Sequence, residues 1–150
     1  MAYIKYKEVT KYFNFSKYVE SKLLPKYTLD YVFEDEKVLV AYKTSRDYGL
    51  FTDKKMILFD NTNILNLKKN ITIIPYKSIS TCGIIFKPYG VEMSLFLDSG
   101  YPLILKFVNT IAEDKVRLRL LFSAISRYVN NQKESKEEIE RLINNDVSFR

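Results

Sequence analysis

Between residues 37 and 108 the sequence divides into seven short apolar runs, and this pattern restricts the possible fold more than any other feature. Each run is rich in Val, Ile, Leu, Phe and Tyr, and turn-forming residues separate it from the next. Such runs predict the strands of an antiparallel barrel or sandwich. The predicted strands are 37–43, 47–52, 55–60, 71–75, 78–87, 90–97 and 101–108.

The residues between these runs are typical of tight turns. Asp53 lies between two runs, and an aspartate side chain can accept hydrogen bonds from the backbone amides of a turn. Asp98, Ser99 and Gly100 separate two runs whose apolar residues alternate, which predicts a hairpin with one apolar face. We therefore interpret these segments first as connections between strands and only second as functional motifs.

Two helices are predicted after the strands. In residues 114–131, Leu118, Leu121 and Ile125 share one helical face. Ser135 and Glu138 have capping-box spacing and predict a second, short helix that docks on the barrel or, alternatively, on another chain. The first helix also carries three arginines on the opposite face, where we expect solvent or, alternatively, phosphate or an acidic partner: Arg117, Arg119 and Arg127.

The N-terminal segment predicts a further helix over 16–24, capped by Ser16 and ended by Pro25. The alternation in 27–33 favours a strand, although a helical continuation stays open. The acidic residues 34–36 are interpreted as a solvated turn. These elements divide the chain into an N-terminal helical extension packed on the barrel (1–35), a main domain (36–131) and a C-terminal helix and tail (132–150).

The chain contains no histidine and one cysteine, Cys82. These counts exclude an intrachain disulfide, the Ser-His-Asp and Cys-His arrangements and histidine-ligated metals. Carboxylate or lysine chemistry remains formally possible, but no activating base or metal partner is visible, so we predict no enzymatic activity, no cofactor and no metal site. Neither a signal peptide nor an apolar run of membrane-spanning length is evident, and a cytoplasmic location is expected.

Three stretches resemble the bacterial pleckstrin-homology (PH) domain family: "TSRDYGLFTDKKMILFDN", "KKNITIIPYKSIST" and "GVEMSLFLDSG". The family pattern contains an Arg-Asp pair, a Phe-Thr-Asx-Lys/Arg hairpin ending in Asp, an Ile-Pro-Tyr-x-Ser-Ile segment and a Glu-x-x-Leu-x-Ile/Leu strand. The matching residues are Arg46 and Asp47; Phe51, Thr52, Asp53, Lys54 and Lys55 with Asp60; Ile74, Pro75, Tyr76, Ser78 and Ile79; and Glu92, Leu95 and Leu97.

The resemblance implies an α+β, mainly β, PH-like antiparallel fold of seven strands closed by a C-terminal helix. It also implies a noncatalytic domain, often found in ring-like homo-oligomers, whose ligands are generally unknown. The sequence departs from the family at Leu67, where a glycine is usual, and after Ser80, where a Glu-Thr-x-Gly stretch is expected. These departures concern the surface that a shared ligand would use.

We favour a protein-binding or scaffolding module that uses a strand edge, an aromatic patch or a helix groove. It could form a homo-oligomer or be a mobile-element-encoded inhibitor of a host complex. The net charge of +6 permits the alternative of an anion-binding module for lipid headgroups or nucleic acid, with weak polyanion or membrane-surface binding. The candidate binding residues are Arg46, Asp47, Lys54, Lys55, Lys68, Lys69, Lys77 and Lys87.

Overall fold

A computed structural model of the chain describes residues 11–60 and 70–148, in which nine strands and three helices form two packed layers. The strands are β1 (Lys11–Phe15), β2 (Lys17–Val19), β3 (Val38–Lys43), β4 (Tyr48–Thr52), β5 (Lys55–Asp60), β6 (Asn70–Pro75), β7 (Ile79–Lys87), β8 (Gly90–Leu97) and β9 (Pro102–Val108). The helices are α1 (Lys26–Leu29), α2 (Ala112–Val129) and α3 (Lys136–Ile143), and Ser21–Leu23 and Tyr76–Ser78 form 3-10 turns.

The strands form two sheets that pack as a sandwich. One has the order β1-β9-β8-β7, and the other has the order β2-β3-β4-β5-β6. All neighbouring pairs are antiparallel except β1 and β9, which are parallel. The seven strands predicted from the apolar runs are confirmed as β3 to β9, and the two sheets are a sandwich instead of a closed barrel.

The helix predicted over 16–24 is wrong. These residues form β2 and a 3-10 turn, because the edge of β3 offers them backbone hydrogen bonds. The Ser16 amide donates to the Lys43 carbonyl at 2.8 Å, at the point where the chain leaves β1 in one sheet and enters β2 in the other. In the described residues, α1 includes residues 27–29, whereas residues 30–33 form neither helix nor strand, so the segment 27–33 follows the helical alternative only in its first half and is not a strand.

Aromatic side chains fill the space between the sheets. Phe15 of β1 stacks on Phe107 of β9 with ring centroids 5.0 Å apart, and it contacts Tyr42 and Phe51 edge-on. Gly49 leaves room for this ring, because a Cβ there would lie 2.5 Å from Phe15 Cε1. The first β-strand therefore contributes directly to the core.

The two C-terminal helices agree with the prediction. Leu118, Leu121 and Ile125 of α2 are buried against the sandwich, and α3 buries Ile139 and Leu142. The Ser135 hydroxyl accepts a hydrogen bond from the Glu138 amide and caps α3. Each helix is followed by an asparagine in the left-handed conformation, Asn131 with φ 57° and Asn145 with φ 53°.

Candidate functional site

The first of the predicted binding lysines, Lys54, lies in the turn between β4 and β5 and is already engaged by a carboxylate. Its Nζ is 2.5 Å from Oδ2 of Asp35, and both side chains are exposed. The hydrogen bond and charge of Lys54 lower the pKa of Asp35, and the same hydrogen bond raises the pKa of Lys54. This ion pair joins the hairpin to the acidic segment before β3.

Lys55 begins β5 and points into the protein. Its Nζ lies 2.6 Å from Oε1 of Glu36, and the two side chains are only 7% and 0% exposed. The ammonium also lies over the ring of Phe33, 3.6 Å from its centroid. The expectation that residues 34–36 form a fully solvated turn is therefore wrong at Glu36, which is buried by its pairing with Lys55.

The environment of Glu36 favours its charged form. Burial acts against ionisation, but hydrogen bonds from the Lys55 ammonium, the Thr52 hydroxyl and the Phe33 amide outweigh it and hold the pKa of Glu36 below its ordinary value. The Lys55 charge is thus compensated inside the protein. A ligand anion would have to displace Glu36 to reach it.

Lys77 lies in the 3-10 turn after β6 and shares a cleft of about 770 Å³ with Lys54 and Lys55. The three lysines of this cleft are matched by three carboxylates, those of Asp53 in its lining and of the two paired acids described above. The structure therefore brings half of the six predicted lysines together, in surroundings whose formal charges balance.

Among the other predicted lysines, the described one, Lys87, does not join this cluster. Lys77 lies just before β7 and Lys87 ends this strand. At about 3.3 Å per residue, the length of β7 separates the two lysines by more than about 20 Å. Its Nζ pairs with Oε2 of Glu92 at 3.0 Å. Lys68 and Lys69 lie outside the described residues.

Arg46 and Asp47, the predicted Arg-Asp pair, lie in the loop between β3 and β4. Asp47 is 1% exposed and accepts hydrogen bonds from the Tyr27 hydroxyl at 2.8 Å and the Tyr48 amide at 3.0 Å. The Arg46 and Asp47 amides point at the Thr44 hydroxyl, at 3.4 and 2.9 Å. These contacts fix the loop and connect it to α1.

Arg117 of α2 is 4% exposed, so its predicted position on a solvated helix face is wrong. Its Nη1 bonds to Asp114 Oδ1 at 2.6 Å and to the Tyr42 hydroxyl at 3.1 Å. Its Nε and Nη2 both donate to Asn145 Oδ1, and its guanidinium carbon lies 3.7 Å from the centroid of the Tyr18 ring. One arginine thus connects α2 with β2, β3 and the turn after α3.

Residues of β1, β6, β8 and β9, with the turn between β8 and β9, line an apolar opening between the two sheets, which we call the intersheet cleft. Its volume is about 760 Å³. Its floor is buried, and its rim includes Ile73 and Tyr101, each 45% exposed, with Asp98 and Ser99 from the turn between β8 and β9. The apolar and aromatic walls are Phe13, Ile73, Ile74, Leu97, Tyr101 and Leu103.

Sequence reasoning did not identify this cleft. Its walls come from β1, β6, β8 and β9, and no local pattern indicates that these segments meet. The one available indication was the apolar character of residues 71–75 and 101–103, which predicts strands without showing which of their side chains stay exposed.

The described ranges, 11–60 and 70–148, contain no cluster of three or more His, Cys, Asp or Glu side chains suited to a metal ion. In the same residues, no helix has the length and apolarity needed to cross a membrane. Burial raises the pKa of the Cys82 thiol, which makes it a weaker nucleophile at neutral pH.

Solved structures show where this fold occurs. A protein with a pleckstrin-homology domain from Shewanella loihica PV-4 superposes with a TM-score of 0.59 at 20% identity, covering 75% of this chain and 95% of that one. A pleckstrin-homology domain from Shewanella amazonensis SB2B gives 0.54 at 26% identity, covering 76% and 90%. A PH-domain-containing protein from Exiguobacterium sibiricum 255-15 gives 0.59 at 16%, covering 78% and 65%.

Sequence comparison agrees with the fold. The uncharacterized protein YjqA of Bacillus subtilis (strain 168) is 51% identical over 47 residues, which are 31% of this chain and 38% of that protein's length. The family model described as "Bacterial PH domain" matches residues 9–85, slightly more than half of the chain. The predicted resemblance to this family is therefore confirmed, and the chain belongs to the bacterial PH domain family.

Proposed function

We propose that this protein is a noncatalytic module that binds an apolar segment of a partner protein in the intersheet cleft. Membership in a PH domain family supports the general role of a noncatalytic binding module. The observation that carries the specific proposal is the cleft itself, where Ile73 and Tyr101 remain 45% exposed beside a buried apolar floor. Pockets with these features are the usual sites of recognition.

The chemistry of the cleft suits a protein segment. A volume of about 760 Å³ accommodates several apolar side chains, and complete burial of one of them contributes roughly 1.5–3 kcal/mol. The Asp98 carboxylate and the Ser99 hydroxyl at the rim can bond backbone amides of the incoming segment. Among the described residues, no lysine or arginine lines this cleft. The affinity of the cleft for a ligand would therefore not depend on anionic groups of that ligand.

Anion binding is the alternative, and the charge pairing argues against it. Lys54, Lys55 and Lys87 each hold a carboxylate of the same chain. A phosphate ligand would compete with these ion pairs, and its binding would weaken steeply as salt rises. Salt dependence therefore separates the two functions.

The experiment is affinity capture of the tagged chain from lysate, with and without nuclease treatment, at low and at roughly 0.5 M salt. We compare the unmodified chain with Ile73→Asp, which puts a charge at the rim of the cleft. Tyr89→Asp is the matched control, since Tyr89 is 84% exposed and lies outside the cleft. We expect one stoichiometric partner that survives high salt with the unmodified chain and Tyr89→Asp and is lost with Ile73→Asp.

Two results would reject the proposal. Recovery of the same partner with Ile73→Asp would mean that recognition occurs elsewhere on the surface. Recovery at low salt only, or only without nuclease, would favour the anion-binding alternative.

The biological role depends on the partner. A partner that assembles with the module would make it a scaffold, whereas a host complex that loses activity on binding would make it an inhibitor of the kind a mobile element encodes. An activity assay of the captured complex with added purified chain distinguishes these roles. The cytoplasmic location and the three-part division at residues 35 and 131 stay predictions.

A further inference from the structure

The intersheet cleft is bordered along one side by the outer strand β6. In the described part of the molecule, β6 has a strand neighbour on one side only, which is β5. Three residues of β6, 72–74, line the cleft. An outer strand presents backbone amides and carbonyls that can pair with another chain. The cleft can therefore offer backbone hydrogen bonds in addition to its apolar surface.

The register between β5 and β6 shows which backbone groups face outward. The Tyr76 amide donates to the Lys54 carbonyl at 3.3 Å, so these two opposite residues form a hydrogen-bonded pair. Hydrogen-bonded and non-hydrogen-bonded pairs alternate along an antiparallel ladder. Ile73 is opposite Ile57, three positions further along, and this pair is therefore a non-hydrogen-bonded one. The amide and the carbonyl of Ile73 consequently point away from β5, towards the outer edge.

Pro75, two residues along β6, supports this assignment. It also occupies a non-hydrogen-bonded position of the ladder, and a proline has no amide hydrogen to present at the edge. The Pro75 carbonyl accepts a hydrogen bond from the Ser78 hydroxyl at 2.7 Å, outside the ladder. For Ile73, the described residues provide no such partner outside the ladder. The edge of β6 is thus closed at Pro75 and open at Ile73.

A strand added at this edge would place its side chains alternately on the two faces of the sheet. Thr72 faces the sandwich interior because it is opposite Leu58 of the main core, and Ile74 does so because it is opposite Met56. Directly opposite residues of paired strands share a face. The added residue opposite Ile73 would therefore face outward, and the residues before and after it would point into the cleft. This geometry suits two apolar residues separated by one residue.

The cleft also carries one uncompensated charge. Among its described lining residues only Asp98 is charged, and its exposed carboxylate has no ion pair within the described part of the chain. The Asp98 amide donates to the Ser78 carbonyl at 2.7 Å, which fixes Asp98 near the end of β6. A lysine or arginine of the added strand would complement this carboxylate. In an antiparallel strand, such a residue precedes the two apolar residues.

We propose that the partner segment of the intersheet cleft is an extended peptide that pairs antiparallel with β6, as a sixth strand of the five-stranded sheet. Its central residue exchanges backbone hydrogen bonds with Ile73, its two flanking apolar residues fill the cleft, and a preceding basic residue pairs with Asp98. The antiparallel direction continues that of β5 and β6 and is the more stable arrangement. This inference rests on the proposed function, because it names the kind of partner that the cleft takes.

The first test is an NMR titration of the isotope-labelled chain with a capped peptide, Arg-Lys-Leu-Thr-Leu-Thr-Gly, whose threonine between the leucines is the residue opposite Ile73. One derivative is N-methylated at this threonine, and the matched control is N-methylated at the leucine that follows it. We expect the first methylation to weaken binding about threefold to tenfold, because it removes the amide that donates to the Ile73 carbonyl. The control methylation changes an amide that points away from β6 and should have little effect.

The second test changes the protein side of the same pairing. Ile73→Pro removes the outward amide but no hydrogen bond of the ladder with β5, and proline is tolerated at such edge positions. Ile73→Val keeps the amide and is the control. We expect Ile73→Pro to weaken binding of the unmethylated peptide about tenfold and Ile73→Val to change it little. The methylated peptides keep the test decisive if Ile73→Pro does not fold, because they leave the protein unchanged.

The third test concerns the basic residue and the direction of the strand. Asp98→Asn should weaken binding of the peptide about twofold to fivefold at low salt, and Glu34→Gln, which changes an exposed carboxylate outside the cleft, should not. The peptide of reversed sequence carries its basic residues at the other end of β6. Its binding should not respond to Asp98→Asn, and an equal response of both peptides would contradict the antiparallel direction.

Two results would overturn the strand pairing. One is a peptide that does not bind the unmodified chain, and the other is an equal effect of the two methylations. Neither result rejects the proposed function, which depends on whether the partner captured from lysate is lost with Ile73→Asp. Loss of that partner together with equal effects of the two methylations would mean that the cleft binds apolar side chains without an added strand.

Discussion

Two cations are buried in the part of the chain that the structure describes, Lys55 and Arg117, and their contacts differ. Lys55 pairs with one carboxylate, that of Glu36, and lies against the ring of Phe33, and both partners belong to the segment before β3. Arg117 bonds to three side chains and packs under a fourth, which together come from β2, β3, α2 and the turn after α3. The compact ammonium fixes one local segment, whereas the planar guanidinium connects distant elements.

The comparison also explains why basic residues in this chain are poor guides to a ligand. From the sequence alone, Lys55 in the hairpin and Arg117 on the helix are both expected to be exposed charges. Both are used to compensate carboxylates inside the fold, Glu36 and Asp114. The surface that we propose for recognition, the intersheet cleft, is instead apolar.

The largest effect is expected from Lys55→Met. This change leaves Glu36 buried without its cation and should lower the free energy of unfolding by about 3–5 kcal/mol, measured by urea denaturation. The double variant Lys55→Met with Glu36→Leu should recover much of the loss, since it removes the uncompensated charge. Lys54→Met, at the neighbouring exposed pair, is the control and should leave the denaturation midpoint nearly unchanged. An equal loss in both single variants would show that the burial of Lys55 is not what matters.

A smaller effect is expected from Arg117→Lys, which keeps the charge but removes the fork that reaches Asn145. We expect a loss of about 1–3 kcal/mol. Asn145→Gly, which tolerates the left-handed backbone at this position, should cost less, and the double variant should be less destabilised than the sum of the two, because both changes remove the same bonds. Strictly additive losses would mean that this pair does not link α2 to the turn after α3.

The smallest expected effect is the change in the free energy of unfolding at acidic pH. The pKa of Glu36 is lower in the folded chain than its ordinary value of 4.5, so the folded state binds fewer protons. The stabilisation is complete above the unfolded pKa and is lost as pH falls through the folded one. We expect the free energy of unfolding to decline below about pH 4.5, and more gently in Glu36→Gln. Parallel acid profiles for the two proteins would contradict this assignment.

The strands and C-terminal helices were predictable because their patterns are local. Alternating residues such as Val91, Met93 and Leu95 all became buried on one face of β8, and Ser135 capped α3 as its spacing indicates. The helix over 16–24 failed because an edge of β3 lies next to these residues only in the folded protein. In this segment, hydrogen bonds to β3 outweighed the spacing of apolar residues, which also fits a helix.

The site was less predictable because it depends on long-range packing. The pattern of α2 could not show that Tyr42 and Asn145, which are distant from it in sequence, would cover Arg117. In the same way, Phe13, Ile74 and Leu103 form one cleft although each belongs to a different strand. Which apolar residues stay exposed is decided by the arrangement of the two sheets.

The pairing of β1 with β9 has a consequence for biosynthesis. Lys11 is in register with Leu103, so the first strand finds its partner only after most of the chain exists. At about 5–20 residues per second, a ribosome makes residue 103 roughly 5–20 s after residue 11. During this interval Phe13 and Phe15 lack their final packing. A nascent chain that stalls before β9 would leave these two aromatic side chains exposed. Chaperones would then bind the incomplete chain, which cannot complete its fold.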